Sequence, residues 1–253
     1  MGAGKTEFIR HLRRILRENE NMRPRVCVVE EPVEEWMRMS FGADMGPLQA
    51  QYRYPTMYGA PFQAYAYTTH LQCVCDALRT HVDDHDRLPE LLFVERFPGY
   101  SNYHVFLRAL HDAGFIDEVT LTMTRRMFDA AENAELFRTM VGGEEPLSLE
   151  FIYVDAPLPE MVARVNERAR ERAAEDRLRR IYQRYETWLG RGANLWLDDR
   201  TLVPHDIRTV RNEEGIFELG EEAERIVNAE LARARLDRDM FRLQPDDDIR
   251  LMH

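Results

Sequence analysis

Apolar residues follow two patterns that alternate along the chain. Three short runs, residues 26–29, 91–94 and 151–154, consist almost entirely of apolar side chains, as expected of strands that are buried on both faces. Between them lie longer segments in which apolar residues recur every three or four positions, the spacing of an amphipathic helix. Such helices are predicted over residues 6–20, 62–82, 100–112, 117–140, 159–172, 176–189 and 220–236. The alternation predicts an α/β fold in which helices cover both faces of a parallel sheet, a three-layer α/β/α sandwich.

The remaining segments add no second domain. Residues 207–210 predict a weak edge strand, and neither a linker nor an internal repeat interrupts the pattern. We therefore expect one domain over residues 1–240, followed by a loose acidic tail over residues 241–253.

Composition and charge narrow the class of protein. The 253 residues are 44% hydrophobic and 31% charged, which is typical of a globular protein, and the net charge is −11. An acidic surface repels nucleic-acid backbones, so we expect no polynucleotide partner. No apolar run is long enough to cross a bilayer, so we expect no membrane association. The three cysteines form no C-x-x-C pair and are expected to be free thiols in a reducing compartment. The cytoplasm is the expected location, with mitochondria and nucleus left open.

The first six residues, Met-Gly-Ala-Gly-Lys-Thr, match the second half of a phosphate-binding loop. In such a loop the backbone N–H groups of Gly2, Ala3 and Gly4 would surround phosphate oxygens. Lys5, which is the only lysine of the chain, would supply a mobile positive charge, and the hydroxyl of Thr6 would bind Mg²⁺. The opening glycine of the full motif and the strand that normally precedes it are not in this sequence. We therefore expect an N-terminally incomplete domain, with the first central strand of the sheet lying upstream.

Charged residues follow the first two predicted strands. Glu31 comes directly before Pro32 at the end of the first strand, and Glu95 and Arg96 follow the second. The carboxyl ends of parallel strands are where α/β proteins bind their ligands. A carboxylate there can accept a proton from a hydroxyl, and an arginine can stabilise a transferring phosphoryl group. The alternatives are a solvated glutamate at a helix start and a surface pair between Glu95 and Arg96.

Two further groups of residues have both a functional and a structural interpretation. Arginines on the helix over residues 159–172 and on the loop after it would form a lid over phosphates, or else a solvated helix face. They are Arg164, Arg168, Arg170 and Arg172. Aromatic residues around one amide would hold a nucleobase by stacking and paired hydrogen bonds, or else pack in the core. They are Trp36, Tyr52, Tyr58, Phe62, Tyr65 and Phe106, with Gln63 among them.

Taken together, these motifs resemble the deoxynucleoside kinases, the family of cellular deoxycytidine, deoxyguanosine and mitochondrial thymidine kinases and their viral relatives. The likeness covers residues 2–189 and rests on motifs that occur in the family's order. They are G-A-G-K-T, E-E-P-V-E-E-W, P-F-Q-A-Y-A, V-E-R followed by S-N-Y-H-V-F, F-I-Y-V-D-A-P with R-A-R-E-R, and R-Y-E-T-W-L. The resemblance implies the P-loop nucleoside kinase fold and transfer of a phosphoryl group from ATP, with Mg²⁺, to a deoxyribonucleoside.

The resemblance also implies a role for each candidate residue. Glu31 would be the base that activates the sugar 5′-hydroxyl, and Arg96 would serve catalysis while Glu95 helps Thr6 to hold Mg²⁺. Lys5 would bind the phosphates. Arg164, Arg168 and Arg170 fall on lid positions. In the nucleoside site, Trp36 and Phe106 would line the base, Gln63 would hydrogen-bond its edge and Tyr52 would contact the 3′-hydroxyl.

Some positions depart from the family pattern. Phe97 and Pro98 replace the serine that follows the arginine, and the lid is short. The acidic residue that reaches the sugar has no clear counterpart, although Glu171 or Glu175 lies nearby. Ala66 and His70 occupy positions that are bulky and apolar in members that prefer thymidine, and Asn102 stands where another branch carries an acid paired with an arginine. These differences favour deoxycytidine or purine nucleosides, with broad specificity open.

Three alternatives remain at this point. A nucleoside monophosphate kinase shares the sheet, loop and lid but usually lacks a carboxylate base, which Glu31 provides here. A non-catalytic nucleotide-binding module would explain the incomplete loop. A GTPase is disfavoured because neither D-x-x-G nor N-K-x-D occurs.

Family members are commonly homodimers, and the helices over residues 64–82 and 100–112 are the candidate interface.

Overall fold

The computed structural model of the protein describes residues 4–38, 45–96, 98–99, 101–133, 149–168, 175–190, 204–211 and 216–242. The α-helices are α1 (Lys5–Glu18), α2 (Val33–Arg38), α3 (Pro47–Arg53), α4 (Pro55–His85), α5 (Arg108–Asp112), α6 (Glu118–Asn133), α7 (Leu158–Arg168), α8 (Glu175–Tyr185) and α9 (Ile216–Arg242). A π-helical turn over Asn102–Leu107 leads into α5, and a second over Glu186–Gly190 follows α8. The strands are β1 (Val26–Val29), β2 (Leu91–Val94), β3 (Leu149–Asp155) and β4 (Pro204–Arg211).

The strands pair in parallel, as the hydrophobic pattern predicts. β1 pairs with β2 and β3 pairs with β4, so the described strands form two two-stranded sheets. β3 and β4 are both longer than predicted. Their extra length includes polar residues such as Glu150, which is paired with Asp206. Backbone pairing does not depend on side-chain polarity, so the hydrophobic pattern underestimates these strands.

Helices cover both faces of the strands, which confirms the three-layer α/β arrangement. Successive side chains of a strand point to opposite faces. Val26 of β1 packs with Leu12 of α1 and Ile226 of α9, and Val154 of β3 belongs to the same apolar cluster. The next residue, Cys27, packs instead against the opposite layer, which is formed by Val74 and Leu78 of α4.

The helix boundaries differ most from the prediction at α4. This helix begins at Pro55, seven residues before the predicted start, and Pro61 lies inside it. Proline at the first turn is compatible with a helix because its missing N–H has no intrahelical partner there. No helix was predicted between residues 20 and 62, and this interval includes the short helix α3. The last helix, α9, extends two residues into the predicted tail.

Candidate active site

The parallel register of β1 and β2 brings the ends of both strands to one edge. Val29 is paired with Val94, and the backbone N–H of Glu95 donates to the carbonyl of Val29 at 2.8 Å. The residues that follow each strand therefore lie side by side. Glu31 and Arg96, which the sequence places after separate strands, meet at this edge.

Glu31 and Arg96 form a buried ion pair. The Nη2 of Arg96 donates to the Oε2 of Glu31, and the Glu31 side chain is 6% exposed. Other carboxylates of the same segment lie closer to the surface and pair with surface arginines: Glu30 pairs with Arg13, and Glu34 with Arg38. Glu31 is thus set apart from its acidic neighbours by burial, as expected from its position before Pro32.

Burial makes the carboxylate of Glu31 a stronger proton acceptor than an exposed carboxylate. Burial raises the pKa of its carboxyl, while the charges of Arg96 and Lys5 act in the opposite direction. A general base is most effective when its pKa lies close to the working pH. Burial together with two nearby cations therefore suits this carboxylate to accept a proton from a weakly acidic hydroxyl.

Arg96 has an uncommon backbone conformation. Its φ of 58° lies in the left-handed region, which a residue with a side chain seldom occupies. Such a residue costs on the order of 1–3 kcal/mol and is often found at functional sites. The guanidinium lies 5.1 Å from the ring centre of Phe106 and pairs with Glu31, so contacts on two sides hold the side chain in the site.

The described part of the predicted phosphate loop has the expected local geometry. Gly4 has a φ of 102°, which glycine adopts without strain, and its carbonyl accepts the first helical hydrogen bond from Phe8 at 3.0 Å. Lys5 is the first residue of α1, and burial together with the charge of Arg96 lowers the pKa of its ammonium. The N-terminus of a helix favours anions, so Lys5 and α1 both favour a phosphate here. Gly2 and Ala3 lie outside the described residues.

Thr6 and Glu95 lie together, as predicted for a metal site. The Thr6 hydroxyl donates to Oε1 of Glu95 at 3.4 Å, and Glu95 is buried. One carboxylate and one hydroxyl are a suitable ligand set for Mg²⁺ that also binds substrate phosphates. In the described part of the chain, no group of three or more His, Cys, Asp or Glu residues could hold a metal ion. A metal at Thr6 and Glu95 would therefore also need ligands from the substrate phosphates.

A cleft enclosing about 470 Å³, part of it open to solvent, lies beside this edge. Gln63 and Phe106 line it, as predicted for a base site, and so does Tyr52. The other lining residues are Gln51, Pro55, Ala109, Leu110, Phe115, Arg177, Arg180 and Ile181.

Tyr52 connects the cleft with the charged edge. Its hydroxyl experiences the charges of Arg96, Arg177 and Glu31, and burial raises its pKa. The guanidinium of Arg177 lies 4.5 Å from the centre of the Tyr52 ring and also donates to the Tyr52 carbonyl at 3.0 Å. Both the ring and the backbone of Tyr52 are therefore held by one residue of α8.

Three buried amides meet at the cleft. The Nε2 of Gln63 donates to the Oε1 of Gln51 at 2.7 Å, and the Nδ2 of Asn102 donates to the Oε1 of Gln63 at 3.0 Å. Gln51, Gln63 and Asn102 are 7%, 3% and 8% exposed. The structure thus brings together the predicted Gln63 and Asn102 and adds Gln51.

Trp36, Ala66 and His70, which were predicted to shape the base site, are not among the described residues that line this cleft. Trp36 packs edge-on against Phe62 at 5.7 Å and contacts Ala66, and its Nε1 donates to the hydroxyl of Thr69 at 2.9 Å. His70 is 2% exposed, and its Nε2 has no hydrogen-bond partner among the described residues. Burial, with the charge of Arg96, lowers the pKa of His70 to about 3, so the imidazole is neutral at physiological pH.

The predicted lid arginines are only partly described. Arg164 forms a salt bridge with Glu160 at 2.9 Å, one turn away on α7. Arg168 lies at the end of α7, where only its backbone is described, and Arg170 lies outside the described residues, as does Glu171. The described contact of Arg164 is therefore an ion pair within its own helix, and the role of these arginines as a lid stays a prediction.

Sequence reasoning missed three residues of the site. Tyr185, in the motif R-Y-E-T-W-L, lies with its ring 5.9 Å from the Lys5 ammonium and 6.5 Å from the ring of Phe106. Burial raises the pKa of Tyr185 to about 12, so its hydroxyl stays protonated. Gln51 precedes Tyr52, and Arg177 lies on a helix rich in arginines. Neither carries a signal in the sequence that separates it from its neighbours.

Within the described residues, every helix is too short or too polar to span a bilayer. Cys27, Cys73 and Cys75 are free thiols.

Comparison with known protein families identifies the chain's relationship. The model of the deoxynucleoside kinase family matches residues 1–232. A search of the curated proteins found no significant match.

Proposed function

Because the chain belongs to the deoxynucleoside kinase family and is therefore a phosphotransferase, we propose that it transfers the γ-phosphoryl group of ATP to the 5′-hydroxyl of a deoxyribonucleoside. The product is the nucleoside 5′-monophosphate, as in nucleotide salvage. The buried pair of Glu31 and Arg96 beside the cleft carries this proposal. A carboxylate base is needed when the acceptor is a neutral hydroxyl.

Glu31 accepts the proton of the 5′-hydroxyl as its oxygen attacks the γ-phosphorus. A bond forms between these two atoms, and the bond from the γ-phosphorus to the bridging oxygen of ATP breaks, which releases ADP. Negative charge is spread over the transferring group during this step. Arg96 lies beside Glu31, and its guanidinium is suited to stabilise that charge.

At the other end of the site, Lys5 and the N-terminus of α1 bind the phosphates of ATP. Thr6 and Glu95 would hold Mg²⁺, which would neutralise part of the phosphate charge. Arg164, Arg168 and Arg170 belong to the lid in this proposal. Their part depends on closure over the phosphates.

The nucleoside occupies the cleft. Gln63 reads the edge of the base, Phe106 stacks on it, and Tyr52 contacts the sugar. Trp36, Ala66 and His70 shape the wall behind the base. Because Ala66 is small and His70 is neutral and buried, we propose that deoxycytidine or a purine deoxynucleoside is accepted.

The substitution Glu31→Gln tests the base. Glutamine keeps the size of the side chain but cannot accept a proton, so turnover should fall by about 100-fold or more while nucleoside binding persists. Binding is measured by calorimetry and turnover by a coupled ADP assay. Glu34→Gln, at an exposed position of the same segment, is the matched control. Near-native turnover of the Glu31→Gln protein would refute this proposal.

A nucleoside monophosphate is the second candidate acceptor. Arg177 and Arg180 line the cleft, and no carboxylate is among its described lining residues. Two guanidinium groups would suit an acceptor that carries a phosphate. The rates at which the protein phosphorylates deoxycytidine and deoxycytidine monophosphate decide between the two acceptors. A neutral hydroxyl needs Glu31 as its base, whereas a phosphate acceptor does not.

We further propose that the chain forms a homodimer, as the resemblance implies. The candidate interface is made of the helices over residues 64–82 and 100–112. Light scattering coupled to size-exclusion chromatography measures the mass directly, and a monomer at micromolar concentration would contradict this assembly.

A further inference from the structure

Four polar groups form a chain of hydrogen bonds that runs in one direction beside the cleft. The backbone N–H of Gly99 donates to the Oδ1 of Asn102 at 3.4 Å. The Nδ2 of Asn102 donates to the Oε1 of Gln63 at 3.0 Å, and the Nε2 of Gln63 donates to the Oε1 of Gln51 at 2.7 Å. Asn102 and Gln63 each accept from the preceding group and donate to the next, and Gln51 accepts at the end of the chain.

The backbone fixes the direction of this chain. A backbone N–H can only donate, so the oxygen of the Asn102 amide must face Gly99. The nitrogen of Asn102 also lies 3.4 Å from the backbone carbonyl of Gln63, which can only accept. If the Asn102 amide turned over, it would place N–H against N–H and carbonyl against carbonyl. Two backbone groups of opposite character therefore hold Asn102 in one orientation.

The orientation of Asn102 determines that of Gln63. Asn102 presents a donor, so Gln63 must turn its oxygen toward Asn102 and its nitrogen toward Gln51. Gln63 is 3% exposed, and an amide that turned over inside this network would lose both bonds. A glutamine amide has two N–H groups and two lone pairs on oxygen. One of each is used in the network, which leaves one donor and one acceptor in a fixed order for a ligand.

We propose that Gln51 and Asn102 are positioning residues that fix the orientation of Gln63, so that the protein discriminates between 4-amino and 4-oxo pyrimidines and, in the same way, between 6-amino and 6-oxo purines. This inference rests on the proposed function, in which Gln63 reads the base edge. Along that edge an amino base presents a donor and then a ring acceptor, whereas an oxo base presents the reverse order. In one binding pose, a fixed amide matches only one of these orders.

The substitution Asn102→Asp reverses the chain of hydrogen bonds. An ionised aspartate has no donor, so the Gln63 amide must turn its nitrogen toward residue 102 and its oxygen toward Gln51. The amide of Gln51 is able to turn and donate in return. Donor and acceptor then exchange places at the base edge. A change that only loosened the site would weaken the binding of all nucleosides alike, whereas this exchange alters their ratio.

The test is the dissociation constant of deoxycytidine, deoxyadenosine, thymidine and deoxyguanosine, measured by calorimetry on the full chain. The native protein should favour one class over the other by about 10-fold or more, because a mismatched amide leaves buried polar groups unpaired. Asn102→Asp should change the ratio of the dissociation constants of the amino and the oxo nucleosides by a similar factor. The change should favour the class that the native protein binds more weakly. Gln51→Leu removes the oxygen that accepts from the Nε2 of Gln63, so it should bring the ratio of these dissociation constants several-fold closer to one. Gln72→Leu, at an exposed position of α4, should leave the ratio unchanged.

An unchanged ratio in both Asn102→Asp and Gln51→Leu would overturn the inference, as would equal binding of the two classes by the native protein. If the Asn102→Asp protein does not fold, the ratio measured for Gln51→Leu decides alone. Failure of the native chain to bind any of the four nucleosides would instead overturn the proposed function. Because the readout is binding, the result does not depend on the phosphate loop.

Discussion

The guanidinium of Arg96 contacts the carboxylate of Glu31 although 65 residues separate them in the chain. The contact exists because β1 and β2 are paired in parallel and both residues follow a strand end. One cation therefore lies beside the proposed base and is suited to act on the transferring phosphoryl group as well. Two separate effects are expected when it is removed.

Arg96→Leu should lower turnover and move the acid limb of the pH profile upward. Arg96 opposes the burial that raises the pKa of Glu31, so its loss raises that pKa further. The base is then protonated, and inactive, up to a higher pH. A loss of about 100- to 1,000-fold in kcat is expected from the missing phosphoryl contact. The residual kcat/KM is measured between about pH 5 and pH 9. Arg96→Lys keeps the charge and should leave the limb close to its native position.

Thr6→Val should increase the Mg²⁺ concentration needed for activity. Valine has nearly the shape of threonine but no hydroxyl, so Glu95 loses its partner and the metal loses one ligand. An increase on the order of 10-fold in the half-saturating Mg²⁺ concentration is expected. Thr6→Ser retains the hydroxyl and is the control. Equal Mg²⁺ dependence of the valine and serine proteins would show that Thr6 does not bind the metal.

His70 should make the protein less stable in mild acid. Its pKa falls from an ordinary value of 6.5 to about 3 on folding, so the unfolded chain binds a proton that the folded chain does not. The contribution of neutral, buried His70 to the free energy of unfolding is complete above about pH 6.5 and is lost as the pH falls toward 3. Between pH 7 and pH 5.5 this amounts to about 1 kcal/mol of unfolding free energy.

His70→Met isolates that effect. Methionine is apolar and of similar length, and the Nε2 of His70 has no partner to lose, so the cost at pH 7 should be small. Urea unfolding at pH 7 and pH 5.5 is compared for the two proteins. Both retain His104, whose pKa burial lowers to about 4, so only the difference between the proteins reports on His70. An identical loss in both would contradict the prediction.

Arg177→Leu should raise KM for the nucleoside more than it lowers kcat. Arg177 stacks on Tyr52 and bonds to its carbonyl, so the variant releases a residue that is proposed to contact the sugar. An increase of several-fold to about 30-fold in KM corresponds to about 1–2 kcal/mol of lost positioning. Arg179→Leu, an exposed position of the same helix, is the control. A change confined to kcat would place Arg177 at the phosphoryl group instead.

The hydrophobic pattern predicted most of the elements but not their ends. Strand positions and the parallel arrangement followed from short apolar runs, because a buried strand needs apolar side chains on both faces. The start of α4 was missed because Pro55 and Pro61 look like breaks, although the first turn of a helix tolerates proline. The short helix α3 was missed for the same reason, because the glycine and proline residues beside it also look like breaks.

The candidate site likewise contains residues that the sequence predicted and residues that it missed. Glu31, Glu95 and Arg96 were predicted together because parallel strands end at one edge, and this rule depends only on the order of the elements. Thr6 was predicted separately, from the phosphate-loop motif. Gln51, Arg177 and Tyr185 were missed because their roles depend on contacts of α3 with α4 and of α8 with α3 and α1. Spacing along the chain does not encode contacts of this kind.

The sequence by itself determined the fold class, the family resemblance and the chemical identity of the site, because residue types and periodicity set which side chains are buried and which can exchange protons. Only the tertiary structure decided the pairing of Glu31 with Arg96 rather than of Glu95 with Arg96, and the direction of the amide chain through Gln63. Both depend on which donor faces which acceptor across separate elements. That relationship exists only after the elements have packed.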